Sequence, residues 1–185
     1  MKKMKKTISL CILMIGLSLT FNPLLLAQEE IAKKLFYAEA GGPGLIMSVN
    51  FDARFNSNER LGLGYRLGVG FGFGNVYEKN ANQWDYYDYD VKTYYSFPVG
   101  LNYVFGKPNS DHAFEVGAGA TFLTHKVALF YYTEEKPGHA IGFFTFMYRK
   151  IPVNGGFSWR IGLTPVIGTS GDLYPMGAIG FGYAF

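Results

Sequence analysis

The chain has 185 residues, of which 17% are charged, 18% aromatic and 24 in number glycine. A soluble domain carries about a quarter charged residues, so part of this surface is expected not to face water, and the length suits one domain. The formal net charge of +3 gives no support for nucleic-acid binding, because four of the lysines lie within the first six residues.

Those residues, Met1-Lys-Lys-Met-Lys-Lys6, form a basic n-region. Thr7 to Phe21 is an apolar h-region, and Leu25-Leu-Ala27 ends on a small residue. Residues 1–27 therefore read as a cleaved secretory signal peptide and 28–185 as the barrel domain. Asn22-Pro23 interrupts the apolar run and Gln28-Glu-Glu30 follows at once, which argues against a retained anchor helix. Cys11 is no lipoprotein site, since Leu10 stands where a small residue is needed. Without the four leader lysines, 17 basic residues become 13 against 14 acidic ones, a net charge of −1. The pI of 8.8 belongs to the precursor. The mature chain then has no cysteine, which excludes disulfides, thiol catalysis and Cys-ligated metal.

Past the leader no apolar run is long enough for a spanning helix. Period-two alternation recurs instead, broken by turn residues, and predicts eight strands. In chain order they are Leu35–Gly41, Leu45–Phe55, Leu61–Gly74, Val91–Phe105, Ala113–His125, His139–Lys150, Phe157–Gly168 and Pro175–Phe185. Connections after strands two, four and six are compact. Those after three (Asn75–Asp90) and five (Lys126–Gly138) are long, while those after one and seven are shorter exceptions. Short turns on one side and longer loops on the other, with an even strand number, are the pattern of an outer-membrane barrel with both ends in the periplasm.

The third strand, LGLGYRLGVGFGFG, shows the polarity. Bulky apolar groups hold the odd positions from Leu61 to Phe73, and the even ones are Gly except Arg66. Strands two, four, five, seven and eight likewise set a bulky face against a small or polar one, and every charge in these strands falls on the polar face. A soluble barrel would turn the bulky faces inward, yet an eight-stranded lumen is only just wide enough for side chains. Turned outward, they meet lipid, and closure leaves no unpaired strand edge. The fold class is thus all-β, an eight-stranded antiparallel up-and-down transmembrane β-barrel. Arg66 then projects into the lumen, in the company of Glu39, Asp52, Arg54, Glu115 and Arg160. A hairpin centred near Asn58 sets Asn50 opposite Arg66. Buried charges must be paired, so this set is expected to plug the lumen. Tyr103, Phe105, Tyr148, Phe157, Trp159, Tyr183 and Phe185 are placed as an aromatic girdle near the short-turn end. Leu67→Arg is expected to harm insertion far more than Gly68→Ala.

The ending Ile179-Gly-Phe-Gly-Tyr-Ala-Phe185 resembles the C-terminal signal of outer-membrane barrels. The resemblance implies that Ile179, Phe181, Tyr183 and Phe185 are read by the barrel-assembly machinery. Tyr37–Leu45 with Ser48–Phe51, Phe97–Tyr103 and Gly155–Pro165 resemble small, uncharacterised outer-membrane β-barrel proteins of Gram-negative bacteria. That likeness covers nearly the whole mature chain and implies architecture and location, but little about activity.

Small barrels of this kind include lipid-modifying enzymes, which need His with Ser or acidic partners at one rim. His125 and His139 flank the second long loop with Glu134 and Glu135, and Ser170 lies in the last loop. No serine adjoins the histidines in sequence, and their spacing fits no compact metal motif, so neither a catalytic nor a metal or cofactor site is assigned. The GxG runs lie inside strands and fail as phosphate loops. Trp84-Asp-Tyr-Tyr-Asp-Tyr-Asp90 is the candidate surface-binding loop, through Trp84, Tyr86, Tyr87, Asp88, Tyr89 and Asp90. The alternative there is a strand extension above the membrane. The expected protein is a monomer in outer-membrane lipid, meeting an unknown extracellular ligand and no nucleic acid. A narrow solute channel and a lipid-modifying enzyme stay open as alternatives.

Overall fold

The computed structural model describes residues 31–56, 58–79, 87–127, 138–168 and 171–185, so residues 1–30, Trp84–Tyr86, Ser170 and most of the second long loop lie outside it. The alternating stretches form β1 (Lys34–Gly41), β2 (Met47–Arg54), β3 (Gly62–Lys79), β4 (Tyr87–Gly106), β5 (His112–Val127), β6 (Gly138–Lys150), β7 (Gly156–Leu163), β8 (Val166–Ile167), β9 (Leu173–Tyr174) and β10 (Gly177–Ala184). β1 to β6 each pair antiparallel with the next strand in the chain, and β7 pairs with β10. β10 returns to β1, from Leu35↔Ala184 to Gly41↔Ala178, and the sheet closes.

Two of the eight staves are broken by proline. The expected seventh strand, Phe157–Gly168, appears as β7 and β8; the expected eighth, Pro175–Phe185, as β9 and β10. The register runs on across each break: Leu163 faces Gly177, and Val166 faces Tyr174. Pro165 and Pro175 fall opposite each other in that register. Neither has an N–H to give the ladder, so the strands lapse there and resume where Val166 faces Tyr174. The barrel is therefore an eight-stave antiparallel wall, closed and nearly all strand.

Hydropathy inverts across this wall. On β3, Leu67, Val69, Phe71 and Phe73 are 47–64% exposed, while Arg66, one step before Leu67, is 2% exposed. Ile161 is exposed beside buried Arg160, and Phe181 beside buried Gly180. The side-chain period of two fixes which set goes where. Across the outer face, aromatic rings from adjacent strands form a row. Phe105 stacks on Phe114 at 6.0 Å, Phe114 meets Tyr148 edge-on at 5.5 Å, and Tyr148 lies 5.4 Å from Trp159. The row follows the short-turn end, where the sequence placed an aromatic girdle.

Three expectations need correction. The second strand starts at Met47, and Leu45 is buried rather than on the outer face. Gly42–Gly44 forms a 3-10 turn that tucks into the lumen: Thr121 Oγ1 donates to Pro43 O (2.7 Å) and Ser96 Oγ to Gly44 O (2.9 Å). Leu45 takes φ 73 there, rare for a residue with a Cβ. Its side chain joins Tyr94, Leu123, Val127 and Ile141 in an interior apolar cluster, which compensates that strain. Second, the hairpin register between β2 and β3 differs by two residues. Asp52, not Asn50, stands opposite Arg66, because Phe55 N bonds Leu63 O and moves the turn one residue on. An even shift keeps every side chain on its face. Third, the long connection after β3 is shorter than read: Val76–Lys79 pair with Tyr87–Asp90, extending both strands.

Candidate functional site

The interior has three tiers. At the short-turn end, Ala32, Leu35, Tyr37, Ile151 and Ala184 pack together. At the long-loop end lie the Leu45 cluster and a second group of Phe143, Val166 and Tyr174, both touched by Met176. Charge occupies the level between.

All six residues expected in the lumen network are there and buried, at 1–8% exposure. They form one alternating chain with a seventh member, Arg149. Arg66 pairs with Glu39, whose other oxygen is 3.3 Å from Arg160 Nε. Arg160 Nη2 lies 3.0 Å from Glu115 Oε1, and Arg149 Nη1 lies 2.8 Å from Glu115 Oε2. Arg149 Nη2 is 3.4 Å from Asp52, which pairs in turn with Arg54. The order is Arg66, Glu39, Arg160, Glu115, Arg149, Asp52, Arg54. Each carboxylate thus lies between two guanidinium groups, and every residue comes from a different strand except Asp52 and Arg54 on β2. Alternation lets each charge be offset on both sides where dielectric screening is weak.

Neutral groups complete the chain. Arg54 donates to Gly62 O (2.8 Å) and Asn102 Oδ1 (2.6 Å), and Asn102 donates back to Asp52. Thr145 Oγ1 donates to Glu115 at 3.2 Å. Tyr37 lies under two guanidinium groups, with Arg160 4.8 Å and Arg66 5.5 Å from the ring centroid, and its hydroxyl accepts from Arg160 Nη1 at 2.8 Å. Such cation–π contacts strengthen when desolvated. Glycine on the facing strands makes the room. A Cβ on Gly68 would come 2.3 Å from Asn50 Oδ1 and 2.9 Å from the Pro98 ring; one on Gly182 would come 2.1 Å from Phe36 O. Gly68→Ala is therefore not the mild change expected.

The sequence missed Arg149 because β6 is bulky on both faces. Ile141, Phe143 and Met147 point in, Phe144 and Phe146 out. Hydropathy alone could not orient that strand; pairing it with β5, whose inward Glu115 faces Met147 in register, does. Asn102 shares the buried, polar face of β4, and its role as a bridge between Arg54 and Asp52 is visible only in the closed barrel.

A further arginine closes the short-turn end. Arg60 donates to the carbonyls of Ile151 (2.8 Å), Pro108 (3.1 Å) and Ser110 (2.5 Å), tying all three short turns together. Burial holds its guanidinium below the ordinary value, with Asp111 acting against that shift.

The other sequence candidates stand apart from this interior. Ile179, Phe181, Tyr183 and Phe185 are 41–62% exposed and line the outer face of the closing strand. Tyr87, Asp88, Tyr89 and Asp90 belong to the extended β3–β4 hairpin, while Trp84 and Tyr86 lie outside the described residues. His125 Nδ1 is 3.1 Å from the Thr124 hydroxyl, and His139 Nδ1 is 3.1 Å from Leu123 O. Each histidine thus has a partner of its own on or beside β5.

No protein-family model matches the chain, and no curated protein matches it. Among solved structures it is similar to the crystal structure of the N-terminal β-barrel domain of Pseudomonas aeruginosa OprF. The TM-score is 0.50 at 11% sequence identity, over 84% of this chain and 98% of that one. At that identity the likeness is one of fold: two closed eight-stranded antiparallel barrels built from largely different residues.

Proposed function

We propose that the protein is an outer-membrane barrel whose lumen is plugged, and that its role is structural or surface-interacting rather than catalytic. The outer face supports the membrane reading. Leu63 and Phe73 bound the apolar side of β3, ten residue steps apart. That is about 33 Å along the strand, or roughly 25 Å of height at a strand tilt of about 40°, the height of a barrel's lipid-facing band. Between those two residues the charged side chain of β3, Arg66, turns into the lumen. On this reading both ends lie in the periplasm, the long loops outside, and the outward residues of β10 serve the assembly machinery.

The observation that carries the plug is the seven-membered ion-pair chain, spanning six strands between two apolar tiers. A hydrated solute would have to part at least one of those pairs and also displace the inturned Gly42–Gly44. Conductance of the refolded protein in planar bilayers tests this. The expected record is a quiet baseline across about 100 mV; steady unitary currents would instead support the narrow channel. The extended β3–β4 hairpin, with the tyrosines and aspartates of residues 87–90, is the proposed surface for an extracellular ligand.

A further inference from the structure

On the outer wall a groove and a polar rim meet near the short-turn end. In register across β5, β6 and β7, Phe114, Tyr148 and Ile161 form one row, and Val116, Phe146 and Leu163 form the row above it. Between these rows lies an apolar groove of about 390 Å³, floored in part by Gly162. A second groove of about 360 Å³ adjoins it, sharing Val116 and Phe146 and reaching Ala118 and Phe144. In the row below Phe114, His112 stands opposite Lys150, and Lys150 opposite Trp159. All three point outward, since Ala113, Arg149, Ser158 and Arg160 beside them are buried. The Tyr148 hydroxyl lies 2.5 Å from His112 Nδ1. When it donates there, Nε2 carries the proton and can donate to a phosphate oxygen. Among the described residues no carboxylate pairs with the Lys150 ammonium.

We propose that this groove binds a phospholipid with a net negative headgroup, in the leaflet at the short-turn end. An acyl chain lies between the two apolar rows, and the phosphate sits on Lys150 and His112. The proposal rests on the outer face meeting lipid, as the proposed function has it. Charge selects this occupant. A lysine near a membrane surface attracts anionic headgroups, while its methylene stem packs along apolar surface. Tyr148 and Trp159 supply the amphipathic rings that sit at headgroup level. A second copy inserted the same way up would bring its own Lys150 to the same depth, like charge against like.

Trp159 is the reporter, because the sequence has two tryptophans and Trp84→Phe leaves it alone. The barrel is refolded into phosphatidylcholine vesicles in which a minority lipid carries bromine on its chains. That lipid is either phosphatidylglycerol or phosphatidylcholine, and quenching of Trp159 gives the ratio of the two affinities. The Trp84→Phe barrel should prefer the anionic lipid about fivefold. Adding Lys150→Gln should bring the ratio near one. Val116→Phe, which fills the groove and leaves the charges in place, should lower it as well. A ratio of one in the Trp84→Phe barrel overturns the site, and is the result if a second copy covers the groove. An undiminished ratio in Val116→Phe also overturns it, leaving only attraction to the rim. Should Val116→Phe not refold, free glycerol phosphate decides: it should leave the quenching unchanged, and displacement of the lipid by it would refute the groove. No quenching even in fully brominated phosphatidylcholine would instead remove the lipid-facing wall, a separate failure.

Discussion

Glu115→Leu should give the largest loss of stability of any single interior change. Glu115 is 1% exposed and engages Arg160 through one oxygen and Arg149 through the other. Removing it strands two buried guanidinium groups at the centre of the chain and splits the alternation into two cationic pieces. Breaking one buried pair costs about 3–5 kcal/mol; here two are broken, offset only in part by Leu's apolar surface. Refolding yield and the temperature of band collapse on a gel measure it. Joint replacement of Glu115, Arg149 and Arg160 by apolar residues of similar volume should recover much of the loss, since a whole ionic cluster can be exchanged for packing. If Glu115→Leu alone leaves the barrel as heat-resistant as wild type, the ion pairs are not what holds the interior.

Leu67→Arg should block membrane insertion while leaving the interior untouched. Leu67 is 49% exposed, near the middle of the apolar side of β3, opposite Phe51 and Val99. An arginine at mid-depth on a lipid face costs roughly 2–4 kcal/mol, and the same residue type one step earlier, Arg66, is accommodated because it faces the lumen. Gly74→Ala is the matched control, since its Cβ would meet nothing nearer than Tyr94 at 3.7 Å. The folded fraction recovered in lipid vesicles should fall several-fold for Leu67→Arg and stay near wild type for Gly74→Ala. Equal yields would contradict the assignment of faces.

The fold was legible because alternation is strong where one face of the wall is bulky and apolar and the other small or polar. β3 shows it best: a face of glycine and one arginine against a bulky apolar one admits one orientation. Legibility failed where that contrast fades. β6 carries bulky groups on both sides, so Arg149 went unread. Leu45 keeps the phase of a strand, yet Gly42-Pro-Gly44 before it turns the chain inward, and only contacts with β4 and β5 decide that. Pro165 and Pro175 each read as ordinary strand positions. Their opposition depends on a register set by the whole β7–β10 ladder. In the site, membership followed from face and charge, while order along the chain of pairs needed barrel stagger, which brings Glu39 to Arg66 although Asp52 is its register partner.

Inverted polarity is tested most directly by accessibility. The only cysteine of the sequence is Cys11, so with Cys11 replaced by serine single cysteines can be placed at Phe71, Ile161, Ser48 and Ser158 and spin-labelled in vesicles. Labels at Phe71 and Ile161 should collide freely with oxygen, which concentrates in lipid, and those at Ser48 and Ser158 should be shielded and slow. Oxygen contact at the serine positions with shielding at Phe71 and Ile161 would mean that the bulky face points inward and that no lipid-facing barrel exists.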